Sequence, residues 1–339
     1  MHGKSCWMTI SRFSCDSRTR TWFAIGLMLG AVAVSAQEPP VASRSAPASA
    51  LSTNDPAGNT SKGPFQELES LLADAATPTG FPDAQTFIYR DVKPEPLRLF
   101  VVKPDGWRMD DRRPAMIYFF GGAWTRGNPT KSIGWARMVA KWGMVGIVPD
   151  YRTNERFGTS PVEAVADARL SVRWVQDHAA ELGVDADKIV VGGSSAGGHL
   201  ALWTAIAKAP VGSKPEESPT TKPAALVLIS APGDTTPAAW DNNPKQFKRF
   251  GPHIGDVSPL QNLDAKMPPV IMFHGDADPT VPYRMAVALH DKLVATSNAC
   301  EFTTIPGGGH GIGLDWKDKS REMIREFLKA QKILPVANK

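Results

Sequence analysis

From Phe81 onward, apolar residues come in short unbroken runs separated by longer stretches where they recur every three or four positions. Unbroken runs of four to eight bounded by turn residues predict buried strands, and the wider spacing predicts amphipathic helices. The central strands are therefore expected at residues 115–120, 144–150, 188–193, 224–230, 269–274 and 300–305, with an earlier antiparallel hairpin at 85–92 and 97–103. Near-continuous apolar strands are what a parallel sheet shows when helices cover both of its faces. The clearest helix spans 160–182. Ser160-Pro161-Val162-Glu163 supplies a capping box with proline at the first helical position, Val165, Ala168, Val172 and Val175 repeat at helical spacing, and Gly183 ends it. A shorter helix is expected at 65–75. Alternating strands and helices predict an α/β fold: a mostly parallel sheet of about eight strands, helices on both faces, and a small insertion at 231–266 after the sixth strand.

The first 63 residues follow a different pattern. Arg18 and Arg20 precede an apolar run at 22–34, and Val34-Ser35-Ala36 closes it with small residues, the layout of a secretory signal cleaved after Ala36. The run is short for the roughly 20 residues that span a bilayer. Residues 37–63 are rich in Pro, Ala, Ser and Thr without apolar periodicity and read as a linker. The expected organisation is thus leader 1–36, linker 37–63 and one domain over 64–339, in an exported chain without stable membrane association once the leader is cut.

Removing the leader changes the electrostatics. Lys4, Arg12, Arg18 and Arg20 against Asp16 give it a net +3, leaving +1 of the chain's +4. No sustained basic face remains to argue for nucleic acid. Cys6 and Cys15 also lie in the leader, so Cys300 has no partner for an internal disulfide.

The candidate chemistry centres on Val190-Val191-Gly192-Gly193-Ser194-Ser195-Ala196-Gly197-Gly198-His199. A strand running into Gly-x-Ser-x-Gly and then into a helix is a nucleophile elbow, whose reversal is so tight that the flanking positions, here Gly193 and Gly197, must lack bulk. Ser195 is then the nucleophile, and the amide of Ala196 at the helix start is an oxyanion donor. A serine hydroxyl needs a histidine base and an orienting carboxylate. After an elbow of this kind the acid and the histidine follow in that order along the chain. Asp276 and Asp278 both lie in the polar loop after strand 269–274. The last strand leads into Gly307-Gly308-Gly309-His310-Gly311, which makes His310 the base. His274 is expected to close a strand in a structural hydrogen-bonding role, and His199 to point away from the pocket or pack behind the elbow. Strand 115–120 opens into Gly121-Gly122-Ala123-Trp124, where Gly122 and Ala123 can donate alongside Ala196.

These residues resemble the α/β-hydrolase superfamily, within it the carboxylesterase and lipase group that includes hormone-sensitive-lipase-like enzymes and acetyl xylan and feruloyl esterases. The resemblance covers residues 97–328 and rests on the Gly-Gly loop at 121–124, Asp150-Tyr151-Arg152, the elbow, His-Gly-x-x-Asp-x-x-Val-Pro at 274–282, and His310. It favours Asp278 over Asp276 as the third member of the triad. Phe120 and Ala123 replace the first and last residues of the usual His-Gly-Gly-Gly, which leaves the backbone donors but changes how the loop is braced.

The expectation is an exported serine carboxylesterase with no metal and no organic cofactor. The short insertion, carrying Trp240, Phe247 and Phe250, implies an open pocket for short acyl groups such as acetyl, and Trp124, Trp240 and Trp316 are candidate pocket walls. Substrates would be small-molecule or polysaccharide esters, acetylated xylan among them by analogy. The alternatives are a serine peptidase of the same fold, which often carries an N-terminal β-propeller where this chain has a linker and short helix, and a catalytically silent binding protein.

Overall fold

The computed structural model describes residues 76–214, 218–253 and 255–335, all within one structural unit. The leader, the linker and the helix expected at 65–75 lie outside the described residues. Eight strands form one sheet: β1 (Gln85–Arg90), β2 (Leu97–Val102), β3 (Arg113–Phe119), β4 (Val145–Pro149), β5 (Val184–Ser194), β6 (Ala225–Ile229), β7 (Val270–Gly275) and β8 (Cys300–Ile305). Their order is β1-β2-β4-β3-β5-β6-β7-β8. The hairpin β1/β2 and the pair β2/β4 are antiparallel, and every later pair is parallel.

Alternation along the strands divides the core. Ala115, Ile117 and Phe119 of β3 belong to the larger apolar cluster and Met116 and Tyr118 to the second, and β6 divides the same way between Leu226 and Leu228 and between Ala225, Val227 and Ile229. Both faces are therefore covered, which is why these strands are apolar without interruption. Helices α2 (Pro161–Asp177), α3 (Ala196–Ala205) and α4 (Tyr283–Ala295) build the first cluster; α5 (Leu314–Ala330) and the end of α1 (Ile133–Ala140) build the second.

Two boundaries differ from the sequence expectation by four residues or more. β5 begins four residues early, because Val184 pairs with Arg113 ahead of a bulge; Asp185, Asp187 and Lys188 in that stretch give no apolar signal. α2 has its capping box, with Ser160 and Glu163 bonded reciprocally, but stops at Asp177. There the His178 ring stacks on Trp174, 3.9 Å between centroids, and the chain turns through Gly183 at φ 63°.

The elbow helix α3 is held at both ends. Arg169 of α2 is fully buried and donates to the carbonyls of Trp203 (3.1 Å), Ile206 (2.5 Å), Ala207 (3.2 Å), Lys208 (3.2 Å) and Pro219 (3.0 Å). A guanidinium is suited to this task, since a helix leaves its last carbonyls without intrahelical partners and concentrates negative charge there. Burial lowers the Arg169 pKa to about 10, which Asp264 opposes, so it stays charged at neutral pH. Nearer the start of α3, His199 is buried as expected. Its Nε2 donates to the Val257 carbonyl at 2.7 Å, and its Nδ1 accepts from the Trp124 indole at 3.3 Å. Burial lowers its pKa to about 4 against the hydrogen bond to Val257.

Replacing Arg169 by Met, which keeps length and removes the donors, is expected to lower the unfolding free energy by about 3 kcal/mol. The readout is the urea midpoint at constant slope; a loss below about 1 kcal/mol would show that the carbonyls find other donors. For His199, the unfolded imidazole takes up a proton near pH 6.5 and the folded one near pH 4. Between those values the unfolded state binds more protons, so stability falls as pH drops through the window, by on the order of 3 kcal/mol. His199→Gln should flatten the denaturation profile between pH 6.5 and 4, and an unchanged slope would remove His199 from the acid response.

Candidate active site

The elbow forms because two backbones touch where a side chain would stand. A Cβ on Gly193 would fall inside the carbonyl group of Gly197, and one on Gly197 inside the carbonyls of Phe119 and Phe120. Ser195 sits between them at φ 54°, ψ −124°, a left-handed conformation that a side-chain-bearing residue holds only when its surroundings impose it. Its amide donates to the Ile229 carbonyl at 2.8 Å, fastening the turn to β6. The helix begins at Ala196, so the Ala196 amide is among those a helix N-terminus leaves unpaired.

The acid and base come from the adjoining strand ends. His310 Nδ1 lies 2.8 Å from Asp278 Oδ2, and the Asp278 side chain is fully buried. Facing a carboxylate, Nδ1 carries the proton and leaves Nε2 free to accept one. The same Oδ2 is 3.2 Å from His274 Nε2, which also donates to the Val281 carbonyl, while Oδ1 accepts the amides of Thr280 (2.8 Å) and Val281 (2.9 Å). Burial pushes the Asp278 carboxyl up, but the hydrogen bonds from His274 and His310 outweigh it and hold the group well below the usual carboxylate range. It is an anion throughout the neutral range, as an orienter of His310 must be.

The choice between the two acids is thereby made by contact. Asp276 does not reach His310; its Oδ1 accepts the Gly307 amide at 2.6 Å and so ties the acid loop to the base loop, rather than bonding its own turn as a plain turn former would. Ser230, a residue the sequence reading did not single out, adds a second tie, accepting the Gly311 amide at 3.0 Å. Its place at the close of an apolar strand, just before Ala231-Pro232, carries no pattern that would have marked it.

Ser195, His310, Gly121, Gly122 and Ala123 line one cleft of about 450 Å³. Gly122 and Ala123 line the cleft beside Ser195, and Ala196 opens α3 directly after it. The loop is braced without a histidine at 120: Phe120 stacks on Tyr151 at 4.1 Å, and the Tyr151 hydroxyl donates to the Phe120 carbonyl at 2.8 Å. Behind that brace, Arg156 grips buried Asp150 with both nitrogens, at 2.8 and 2.6 Å. On the outer side, Arg249 of the insertion donates to the Ala123 carbonyl at 3.2 Å.

The three tryptophans expected as pocket walls do not line the cleft. Trp124 has φ 58°, which turns its indole inward to pack edge-on against His199 and Phe250. Trp240 is buried against Val281 and Met285, and Trp316 packs on the second core cluster with the Lys319 ammonium 4.0 Å over its ring. The aromatic wall is made instead by Phe120, Tyr118 and Trp135, the last two stacked at 4.2 Å. No described residue of 231–266 lines the cleft. Tyr118 was hidden because β3 is apolar on both faces; Trp135 is the third residue of α1, in a helix the sequence reading did not delimit.

Such an arrangement is able to carry out acyl transfer: a half-buried hydroxyl, an imidazole held in one tautomer by a buried anion, and a glycine loop lining the same cleft. Among the described residues no group of His, Cys, Asp and Glu could hold a metal ion.

The known proteins that the chain resembles include esterases. The chain is similar in structure to a propionate-bound esterase from the planctomycete Thermogutta terrifontis, at TM-score 0.69 and 34% identity, covering 76% of this chain and 97% of that one. In sequence it is 26% identical to Esterase LipC of Mycobacterium tuberculosis, over 62% of this chain and 57% of that protein, and 28% identical to Esterase LipQ of the same organism, over 66% and 58%. The chain thus spans a little over half the length of these curated relatives. The family model BD-FAE matches residues 106–293, from the loop after β2 through most of α4. By fold, motif order and this match, the chain belongs to the BD-FAE family of α/β-hydrolase carboxylesterases.

Proposed function

We propose that this chain is a serine carboxylic ester hydrolase acting on short acyl groups. The observation that carries the reading is the buried Asp278 holding His310 at 2.8 Å in the cleft that Ser195 and the Gly121-Gly122-Ala123 loop also line. Ser195 Oγ attacks the ester carbonyl carbon as His310 Nε2 takes the hydroxyl proton. The oxyanion is met by backbone amides of Ala196 and of Gly122 and Ala123. Collapse breaks the bond to the alcohol, which leaves with the proton from His310. A water molecule, deprotonated by the same nitrogen, then releases the acid and restores the serine.

A cleft of about 450 Å³, lined by serines together with Phe120, Trp135 and Ile229, supports a small acyl group. The related Thermogutta terrifontis esterase binds propionate and butyrate, and it is phosphorylated by paraoxon. The further expectation of an exported enzyme acting on acetylated polysaccharide is supported by the leader pattern at 22–36 and the linker after it.

Paraoxon is expected to inactivate the enzyme at one equivalent and add its phosphoryl group to the Ser195 peptide; an adduct elsewhere, or equal labelling of Ser195→Ala, would displace Ser195 as nucleophile. Asp278→Asn should lower kcat on a short aryl ester by roughly 10⁴-fold with folding intact, whereas Asp276→Asn should not approach that loss. Across a panel from acetyl to long-chain aryl esters, acetylated xylan and blocked peptides, kcat/KM should peak at two to four acyl carbons, about the size bound by the neighbour. A faster peptide than ester would favour the peptidase reading, and acetate left on xylan would remove the polysaccharide claim.

A further inference from the structure

The cleft beside Ser195 is unbalanced in charge. Four cationic side chains line it, Arg126, Lys131, Lys317 and Arg321, and no aspartate or glutamate is among its described lining residues. Over the whole chain 38 Lys and Arg stand against 34 Asp and Glu, so the cleft is not a sample of a uniformly basic surface.

The cations come from two parts of the chain. Arg126 follows the oxyanion loop and Lys131 ends the turn before α1, while Lys317 and Arg321 lie one turn apart on α5 and share a face of it. Arg321 reaches Asp318 at 3.2 Å, and that carboxylate, outside the lining, offsets one of the four positive charges. Asp278, behind His310, adds one negative charge, and the side chains at the opening still leave a positive balance. The same lining includes Tyr118, which lies flat on Trp135 and bonds the Ser194 hydroxyl at 2.6 Å.

We propose that the physiological substrate is an anionic ester, bearing a carboxylate or sulfate on its acyl or alcohol part, seated between Arg126 and Lys131 on one side and Lys317 and Arg321 on the other. The inference rests on the carboxylesterase reading and specifies the class of ester. A cleft lined by one sign of charge focuses its field and raises the local concentration of the oppositely charged substrate. Arginine offers a planar fork that fits a carboxylate or sulfate, and lysine a compact charge. A neutral acyl ester gains nothing from either.

The test uses two matched pairs on the full-length enzyme. On the acyl side, para-nitrophenyl hemisuccinate is compared with para-nitrophenyl pentanoate. On the alcohol side, the acetate of para-hydroxybenzoate is compared with the acetate of para-hydroxybenzamide. In at least one pair the anionic member should have the higher kcat/KM, by about tenfold at low ionic strength. That preference should shrink towards unity at about 0.5 M salt, where screening acts over a few ångströms. The pair that shows it tells which part of the ester bears the charge. Lys317→Glu with Arg321→Glu should invert the ratio, and Lys317→Gln alone, at an exposed position, should lower it partway. Hydrolysis of both pairs with no preference for the anion, or a ratio unmoved by these variants, overturns this inference alone. Failure to hydrolyse any of the four esters overturns the carboxylesterase reading and this inference with it.

Discussion

The active site depends on main chain meeting main chain at the elbow. Gly193 and Gly197 face each other and the carbonyls of Phe119 and Phe120 with no room for a Cβ, and a Cβ on Gly121 would stand 3.1 Å from the Ser195 Cβ. Because no side chain intervenes, the oxyanion loop and the nucleophile turn are set against each other by backbone geometry, which varies far less than rotamers do. The left-handed conformations of Ser195, Ala123 and Trp124 are the strain that this contact imposes. Strained residues persist only where the surroundings over-determine them. That requirement explains the braces behind the site: Arg169 and His199 on α3, Tyr151 on the Phe120 carbonyl, and Arg249 on the Ala123 carbonyl.

Much of this frame was legible along the chain, for a physical reason. Strands buried on both faces and helices with one apolar stripe leave periodicities that differ, so β3 to β8 were placed with errors of a few residues at their ends. The elbow, the Gly-Gly loop and the His310 loop were legible because each demands glycine near a reactive or donor residue. What the sequence hid is what depends on direction rather than spacing. Trp124 follows the oxyanion loop in the chain yet points into the core, because its backbone is left-handed. Trp135 is eleven residues further on and forms the wall, because α1 brings it over Tyr118. Asp276 and Asp278 are two residues apart and both hydrogen-bond across or within the loop; only the direction of the turn after Gly275 decides which one meets His310.

Charge is organised by the same division between frame and site. Inside the frame it is matched: Asp150 with Arg156, and Asp167 with Arg90 and Arg152, are buried pairs. Burial raises both carboxyls, which the guanidinium groups oppose. Breaking such a pair strands a charge away from water, a cost of several kcal/mol, so these groups fix strand ends and the Asp150-Tyr151 corner rather than respond to ligand. At the cleft the pattern reverses, with cations on two elements and no lining carboxylate. Charges that stay in contact with water can gather at little cost in free energy. The frame can therefore be made rigid by paired charges while the opening keeps a net field, and that field reaches whatever approaches the cleft without loosening the backbone geometry that positions Ser195.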